Sequence, residues 1–165
     1  MAISSSIDSA GVIQLSVSKW TEYNGVSQAP TYVDSIMFGN IDSPVFDLRS
    51  YSIRAGTNSY TKFLKIRFYG YFTAISNIKL WLSSGVPPTG VNITFEGMTA
   101  TYSTPDTLDA GDANIPTSEP ATNINGTIHS WGEESVYLRF QLHTSRAAVP
   151  ALLTGYQLTL VYDIT

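Results

Sequence analysis

Hydrophobic and polar residues alternate along three stretches of the chain, and a period of two is typical of β-strands with one buried face. In the stretch Lys62–Tyr71, the residues Leu64, Ile66 and Phe68 occupy one phase of this pattern. The same alternation recurs in Asn77–Ser83 and in Glu134–His143. The pattern predicts three strands that each pack one face against a core and turn the other face outward.

Turn-forming residues separate further segments of the same kind. The predicted strands are Gly11–Ser18, Val45–Ile53, Lys62–Tyr71, Asn77–Ser83, Val91–Phe95, Thr99–Ser103, Ile124–Ile128, Glu134–His143 and Gly155–Ile164. The best helix candidate, Ser145–Leu153, is interrupted by Pro150, which breaks a helical hydrogen bond. Short strands without helices favour a single all-β domain, closed as a sandwich or a barrel. The residues expected in its core are Leu64, Ile66, Phe68, Ile78, Leu80, Val136, Leu138, Phe140, Leu158 and Leu160.

The composition changes this picture in three ways. With 165 residues, of which 43% are hydrophobic, the chain fits one domain with a real core, which we place at residues 11–165. The segment Met1–Ala10 has too little apolar area to fold alone, so we expect an extended amino-terminal arm that lies across a neighbour. The absence of cysteine excludes disulfides and thiolate metal sites. The segment Met1–Ala10 has no basic residue, so it does not read as a secretory signal. Since no apolar run is long enough to span a bilayer either, we expect a soluble protein made in the cytoplasm.

Charges are few, at 13% of the residues against a usual quarter, and they are segregated along the chain. The segment from Arg49 to Lys79 has six basic residues and no acidic one. The segment from Leu80 to Leu138 has seven acidic residues and no basic one. Sheet faces and long loops can differ in this way without a functional reason. The alternative is a surface that meets its opposite on another subunit.

The residues that could carry chemistry form no strong catalytic motif. His129 and His143 lie in no nucleophile elbow and form no zinc pair, so we expect no enzymatic activity. Asp106, Asp109 and Asp112 could offer oxygen ligands to Ca²⁺, but they lack the spacing of an EF-hand loop. A solvated acidic loop is the favoured interpretation, and the sequence indicates no cofactor.

Aromatic residues offer a different kind of site. Trp81 lies out of phase with its neighbours Leu80 and Leu82, so its ring could stack on a sugar, anchor an oligomer interface, or be covered by the sandwich. The mixture of basic and aromatic residues in Lys62–Tyr71 could track nucleic acid. The net charge of −4 argues against that partner.

The order of several motifs resembles a group of small virion proteins of tailed bacteriophages, the decoration or cement proteins that sit on the capsid shell. The matching segments are Gly70–Trp81, Gly90–Phe95, Thr99–Pro105, Ile115–Pro120, Val136–Leu142 and Leu158–Asp163. The run Ile75–Trp81 is the most specific of them. The resemblance implies an antiparallel jelly-roll-like β-sandwich without enzymatic activity.

The resemblance also implies a location and a partner. The protein would lie on the outer capsid surface of the virion, bind the major capsid protein and stabilise the shell through subunit-bridging contacts, without nucleic-acid or membrane partners. We further expect a homotrimer in which the basic strands of one subunit face the acidic loop of the next. The interface candidates are Lys65, Arg67, Tyr69, Trp81, Tyr137, Asp106, Asp109 and Asp112. The alternative function is a carbohydrate-binding or receptor-binding module of a virion that uses Trp81 or Trp131 as a stacking platform.

Overall fold

The computed structural model describes residues 2–5, 19–122, 124, 126–149 and 155–165. These residues form nine strands and no helix. The strands are β1 Ala2–Ser5, β2 Lys19–Asn24, β3 Ala29–Val33, β4 Lys62–Arg67, β5 Ile75–Ser84, β6 Val91–Ala100, β7 Ala113–Asn114, β8 Tyr137–Thr144 and β9 Gln157–Ile164.

The strands form two sheets that share one hydrophobic core. The larger sheet has the order β3-β2-β4-β8-β6-β7 and is antiparallel throughout. The smaller sheet has the order β1-β9-β5, with β5 antiparallel and β1 parallel to β9. Buried side chains from both sheets belong to the same core cluster. The predicted all-β sandwich is confirmed, and its jelly-roll connectivity stays a prediction.

The alternation of hydrophobic residues fixes which face of each strand is buried. Leu64 of β4 lies opposite Leu138 of β8, and Leu80 of β5 lies opposite Leu160 of β9. All four side chains are buried, because residues of one phase point to one face of a strand. Nine of the ten predicted core residues are buried, and the tenth, Val136, is partly buried against the core just before β8 begins.

Several predicted strands differ from the observed ones. Val45–Ile53 is wrong, since the segment forms turns in which the Asp47 carboxylate accepts hydrogen bonds from the Arg49 backbone and the Ser50 hydroxyl. Thr99–Ser103 is not a separate strand, because β6 continues to Ala100, with a shift in its pairing with β8 after Glu96.

Two other predicted strands have different outcomes. Of the predicted strand Ile124–Ile128, the described residues contribute only a single bridge between Ile128 and Ile75. Gly11–Ser18 lies outside the described residues.

The β2–β3 hairpin was missed by sequence reasoning. Its turn contains Asn24 and Gly25, which the sequence marks as turn-forming. Its first strand buries Trp20 and Glu22 on the same face. A carboxylate at a core position hides the hydrophobic alternation by which strands are recognised.

Part of the predicted amino-terminal arm pairs with its own chain. Ala2 lies opposite Gln157 and Ser5 opposite Leu160 in the parallel pairing of β1 with β9. This part of the arm is therefore paired within its own chain. The contact of the arm with a neighbouring subunit stays a prediction. In the described part of the chain, no helix has the length and apolar character to cross a membrane.

Candidate functional site

A cluster of aromatic rings and one lysine covers the outer face of the six-stranded sheet, and we call it the outer-face cluster. It consists of Tyr23, Phe63, Lys65, Tyr102 and Tyr137. The ring centres of Tyr23 and Tyr137 are 5.2 Å apart, and those of Phe63 and Tyr102 are 5.1 Å apart. The Lys65 ammonium lies 4.2 Å from the Tyr137 ring centre, which is a cation–π distance.

Register explains why these side chains meet. Tyr23 of β2 is the cross-strand partner of Phe63 of β4, and partners of this kind project from the same face. Phe63 points to the outer face of the sheet, yet it is fully buried because the Tyr102 and Tyr137 rings pack against it. The outer face is therefore a packed layer with an apolar base and a polar rim.

Glu134 connects the cluster to two cations. One of its oxygens lies 2.6 Å from the Arg67 guanidinium, the other lies 3.5 Å from the Lys65 ammonium, and the Tyr23 hydroxyl donates to the carboxylate at 2.8 Å. Burial alone would raise the pKa of Glu134. The hydrogen bonds from Tyr23 and Arg67, together with the charges of Arg67 and Lys65, outweigh burial and lower that pKa.

The same contacts act on their partners. Burial, followed by the hydrogen bond to Glu134, raises the pKa of the Tyr23 phenol. Hydrogen bonds to Tyr69 and to Glu134 raise the pKa of Arg67. The phenol of Tyr23 therefore stays neutral at physiological pH, and the Glu134 carboxylate stays charged.

The acidic loop pairs with its own chain. Asp112 makes a two-point contact with Arg139, at 2.5 and 3.0 Å, and Glu96 lies 2.9 Å from the same guanidinium. Asp106 and Asp109 each accept a hydrogen bond from a backbone N–H two residues later. Within the described residues, no group of three or more His, Cys, Asp or Glu side chains is placed to hold a metal ion.

Basic residues of the segment Arg49–Lys79 also find carboxylates within the chain. Lys62 pairs with Glu22 and Lys79 with Glu119, in addition to the pairs made by Lys65 and Arg67. The charge segregation along the sequence is thus largely balanced by contacts inside the subunit. Fewer charges remain for a neighbouring subunit than the sequence pattern indicated.

The structure brings together only some of the predicted interface residues. Lys65, Arg67 and Tyr137 lie on one outer face, and Tyr69 borders them through its contact with Arg67. Trp81 is half-buried on the outer face of the other sheet, where it lies opposite Thr159. The three aspartates belong to a loop near β6 and β8.

One buried ion pair was missed by sequence reasoning. The Lys62 ammonium lies 3.0 Å from a Glu22 oxygen and donates to the Ser43 carbonyl at 2.7 Å, and both charged side chains are 0% exposed. Burial raises the pKa of Glu22, an effect that the nearby Lys62 reduces but does not cancel. The sequence did contain one indication of this pair. Lys62 lies two residues before Leu64 on the same strand, so the two side chains point to the same buried face.

No family model, curated protein or solved structure matches this chain. The resemblance to phage decoration proteins therefore rests on the motifs of the sequence. What the outer face offers chemically is contact area: packed rings, two cations and one carboxylate held on neighbouring elements of a rigid sheet. Such an arrangement suits the recognition of another surface.

Proposed function

We propose that this chain is a non-enzymatic capsid decoration protein of a tailed bacteriophage, which binds the outer shell and stabilises it by bridging its subunits. The observation that carries the proposal is the outer-face cluster together with Arg67, Glu134 and Tyr32 beside it, a preformed patch of tyrosines and cations. The order of sequence motifs, above all Ile75–Trp81, supports the assignment to phage decoration proteins.

The composition of the patch supports a protein partner. Tyrosine and arginine are enriched among residues that dominate binding energy at protein interfaces. At the edge of the patch the Tyr32 side chain is 59% exposed, and its hydroxyl lies 3.5 Å from Arg67. Because these groups stand on paired strands, little conformational entropy is lost when a partner binds.

The charge of the patch supports an acidic or polar partner surface. Lys65 and Arg67 share the single carboxylate Glu134, so the three groups together carry an excess positive charge. An acidic region of the major capsid protein would complement that excess and guide its orientation.

We propose a homotrimer on the shell, held mainly by apolar and aromatic contacts. Since Lys65 and Arg67 already pair within the subunit, intersubunit ion pairs would contribute little, and Trp81 on the opposite outer face is the better anchor candidate. Sedimentation at low and high salt tests this assembly. A trimer that dissociates at high salt would contradict the apolar interface.

Co-sedimentation with phage capsids assembled without this protein tests the function. The unaltered chain should pellet with the capsids and raise their melting temperature. The variant Tyr32→Ala/Arg67→Ala should bind at least about tenfold more weakly, as expected for loss of two interface anchors. The control Lys79→Ala removes an ion pair from the other sheet and should bind normally. Failure of the unaltered chain to pellet with any capsid preparation would reject the proposal.

A further inference from the structure

An open groove of about 500 Å³ lies at the end of the sandwich where β4 stops and β5 begins. It is separate from the outer-face cluster and shares none of its residues. The residues that line it are Gly70, Tyr71, Phe72, Thr73, His129, Ser130, Trp131 and Thr165.

The loop that carries one wall of the groove is held in a fixed shape. The Glu133 carboxylate accepts hydrogen bonds from the backbone N–H groups of His129 and Ser130, at 2.7 and 3.0 Å, and these bonds contribute to lowering its pKa. At the end of this loop, the Gly132 N–H donates to the Phe68 carbonyl at 2.8 Å. The wall is therefore preformed before any ligand arrives.

The aromatic rings of the groove are exposed yet supported. The Trp131 side chain is 70% exposed, and the Tyr69 ring packs edge-on against it with 5.2 Å between ring centres. Tyr71 is 93% exposed on the facing segment. Leaving two large rings in water costs free energy that a ligand would recover by covering them.

The polar groups around the rings define the class of ligand. Hydroxyls come from Thr73, Ser130 and Thr165, and His129 adds an imidazole. None of the lining side chains is Asp, Glu, Lys or Arg. An anionic ligand would find no lysine or arginine among them, and a nucleic acid would need such cations for its phosphates. A neutral molecule with apolar faces and many hydroxyls fits both kinds of lining group.

We propose that this groove is a binding site for a neutral oligosaccharide, in which Trp131 and Tyr71 cover the C–H face of a sugar ring. The hydroxyls and His129 exchange hydrogen bonds with the sugar hydroxyls. The lining of this site shares no residue with the outer-face cluster, so the proposal does not rest on the proposed attachment to the capsid. It would give a capsid-bound protein a second binding activity.

Titration of the full chain with neutral tetrasaccharides of glucose, galactose, mannose and N-acetylglucosamine tests the proposal, with tryptophan fluorescence and calorimetry as readouts. At least one of them should bind. Trp131→Ala should weaken that binding about tenfold or more, as expected for loss of a stacking ring. The control Tyr51→Ala removes an exposed aromatic ring that does not line the groove, and it should leave the affinity unchanged. Because Trp131 is exposed, its variant should unfold at the same urea concentration as the unaltered chain.

Two outcomes would overturn the proposal. These are binding of none of the four sugars and equal weakening of the binding by Tyr51→Ala. Capsid co-sedimentation separates this proposal from the proposed function, since Trp131→Ala should pellet with capsids normally. If that variant loses capsid binding and the unaltered chain binds no sugar, the groove is a protein interface.

Discussion

Strand β4 places cationic side chains on both of its faces, and these side chains differ in how far they are buried. Lys62 points inward and meets Glu22, with neither charged group exposed. Lys65 and Arg67 point outward and share Glu134, with side chains that are 21% and 33% exposed. Removing one partner of a buried pair typically costs about 3–5 kcal/mol, whereas an exposed pair contributes about 0–1 kcal/mol. An ion pair between a basic residue and a glutamate is thus part of the buried core on the inner face of β4, whereas on the outer face it is accessible to a binding partner.

The largest expected effect comes from breaking the buried pair. Glu22→Leu leaves the Lys62 ammonium in the core with the Ser43 carbonyl as its remaining acceptor. We expect the free energy of unfolding to fall by about 3–5 kcal/mol, since an uncompensated buried charge is then retained. Urea unfolding followed by tryptophan fluorescence measures this loss.

The double variant Glu22→Leu/Lys62→Met is the control for that experiment. Replacing both charges by apolar side chains of similar size should recover most of the stability, because no buried charge is left over. A loss below about 1 kcal/mol in the single variant would mean that Lys62 reaches water.

The pH dependence of stability should have opposite signs for the two glutamates. The pKa of Glu22 is raised above its ordinary 4.5, so its contribution is fully present below pH 4.5 and is lost as the pH rises through the folded-state value. The pKa of Glu134 is lowered, so its contribution is present above pH 4.5 and is lost as the pH falls through the folded-state value.

Isosteric variants isolate the two contributions. As the pH rises from 3.5 to 7, Glu22→Gln should gain stability relative to the unaltered chain, and Glu134→Gln should lose it. Urea unfolding at a series of pH values gives both slopes. Slopes of the same sign would show that the two carboxylates do not differ in the way the structure indicates.

The smallest expected effect on stability lies on the outer face. Lys65→Ala removes one partly exposed ion pair and a cation–π contact, and we expect a loss of only about 0.5–2 kcal/mol. Thermal unfolding measures it beside Glu22→Leu. If Lys65→Ala were as destabilising as Glu22→Leu, the contrast between the two faces of β4 would be refuted.

The sequence predicted the parts of the fold that alternation alone determines. The strands around Leu64, Leu80 and Leu138 were predicted because hydrophobic and polar residues alternate along them. The prediction failed where the polarity of a side chain does not match the face of the strand to which it points. Glu22 is polar at a core position, and Phe63 is apolar at an outer one.

The candidate site was predicted in its residue types and only partly in its arrangement. The sequence indicated Lys65, Arg67 and Tyr137 as surface residues of adjacent strands. It did not reveal that Glu134 would neutralise part of their charge, because that contact joins residues far apart in the chain. Pairing of this kind depends on strand register, which local patterns do not fix.

The parallel pairing of β1 with β9 has a consequence for how the chain acquires its structure. Ala2 finds its partner only when Gln157 has been synthesised, so this pairing forms between residues that are far apart in the chain. Contacts between such distant residues slow folding, since closing the long loop between them costs conformational entropy before the contact can stabilise the chain. Strand β1 therefore stays unpaired until β9 has been made, and the smaller sheet cannot be completed before then.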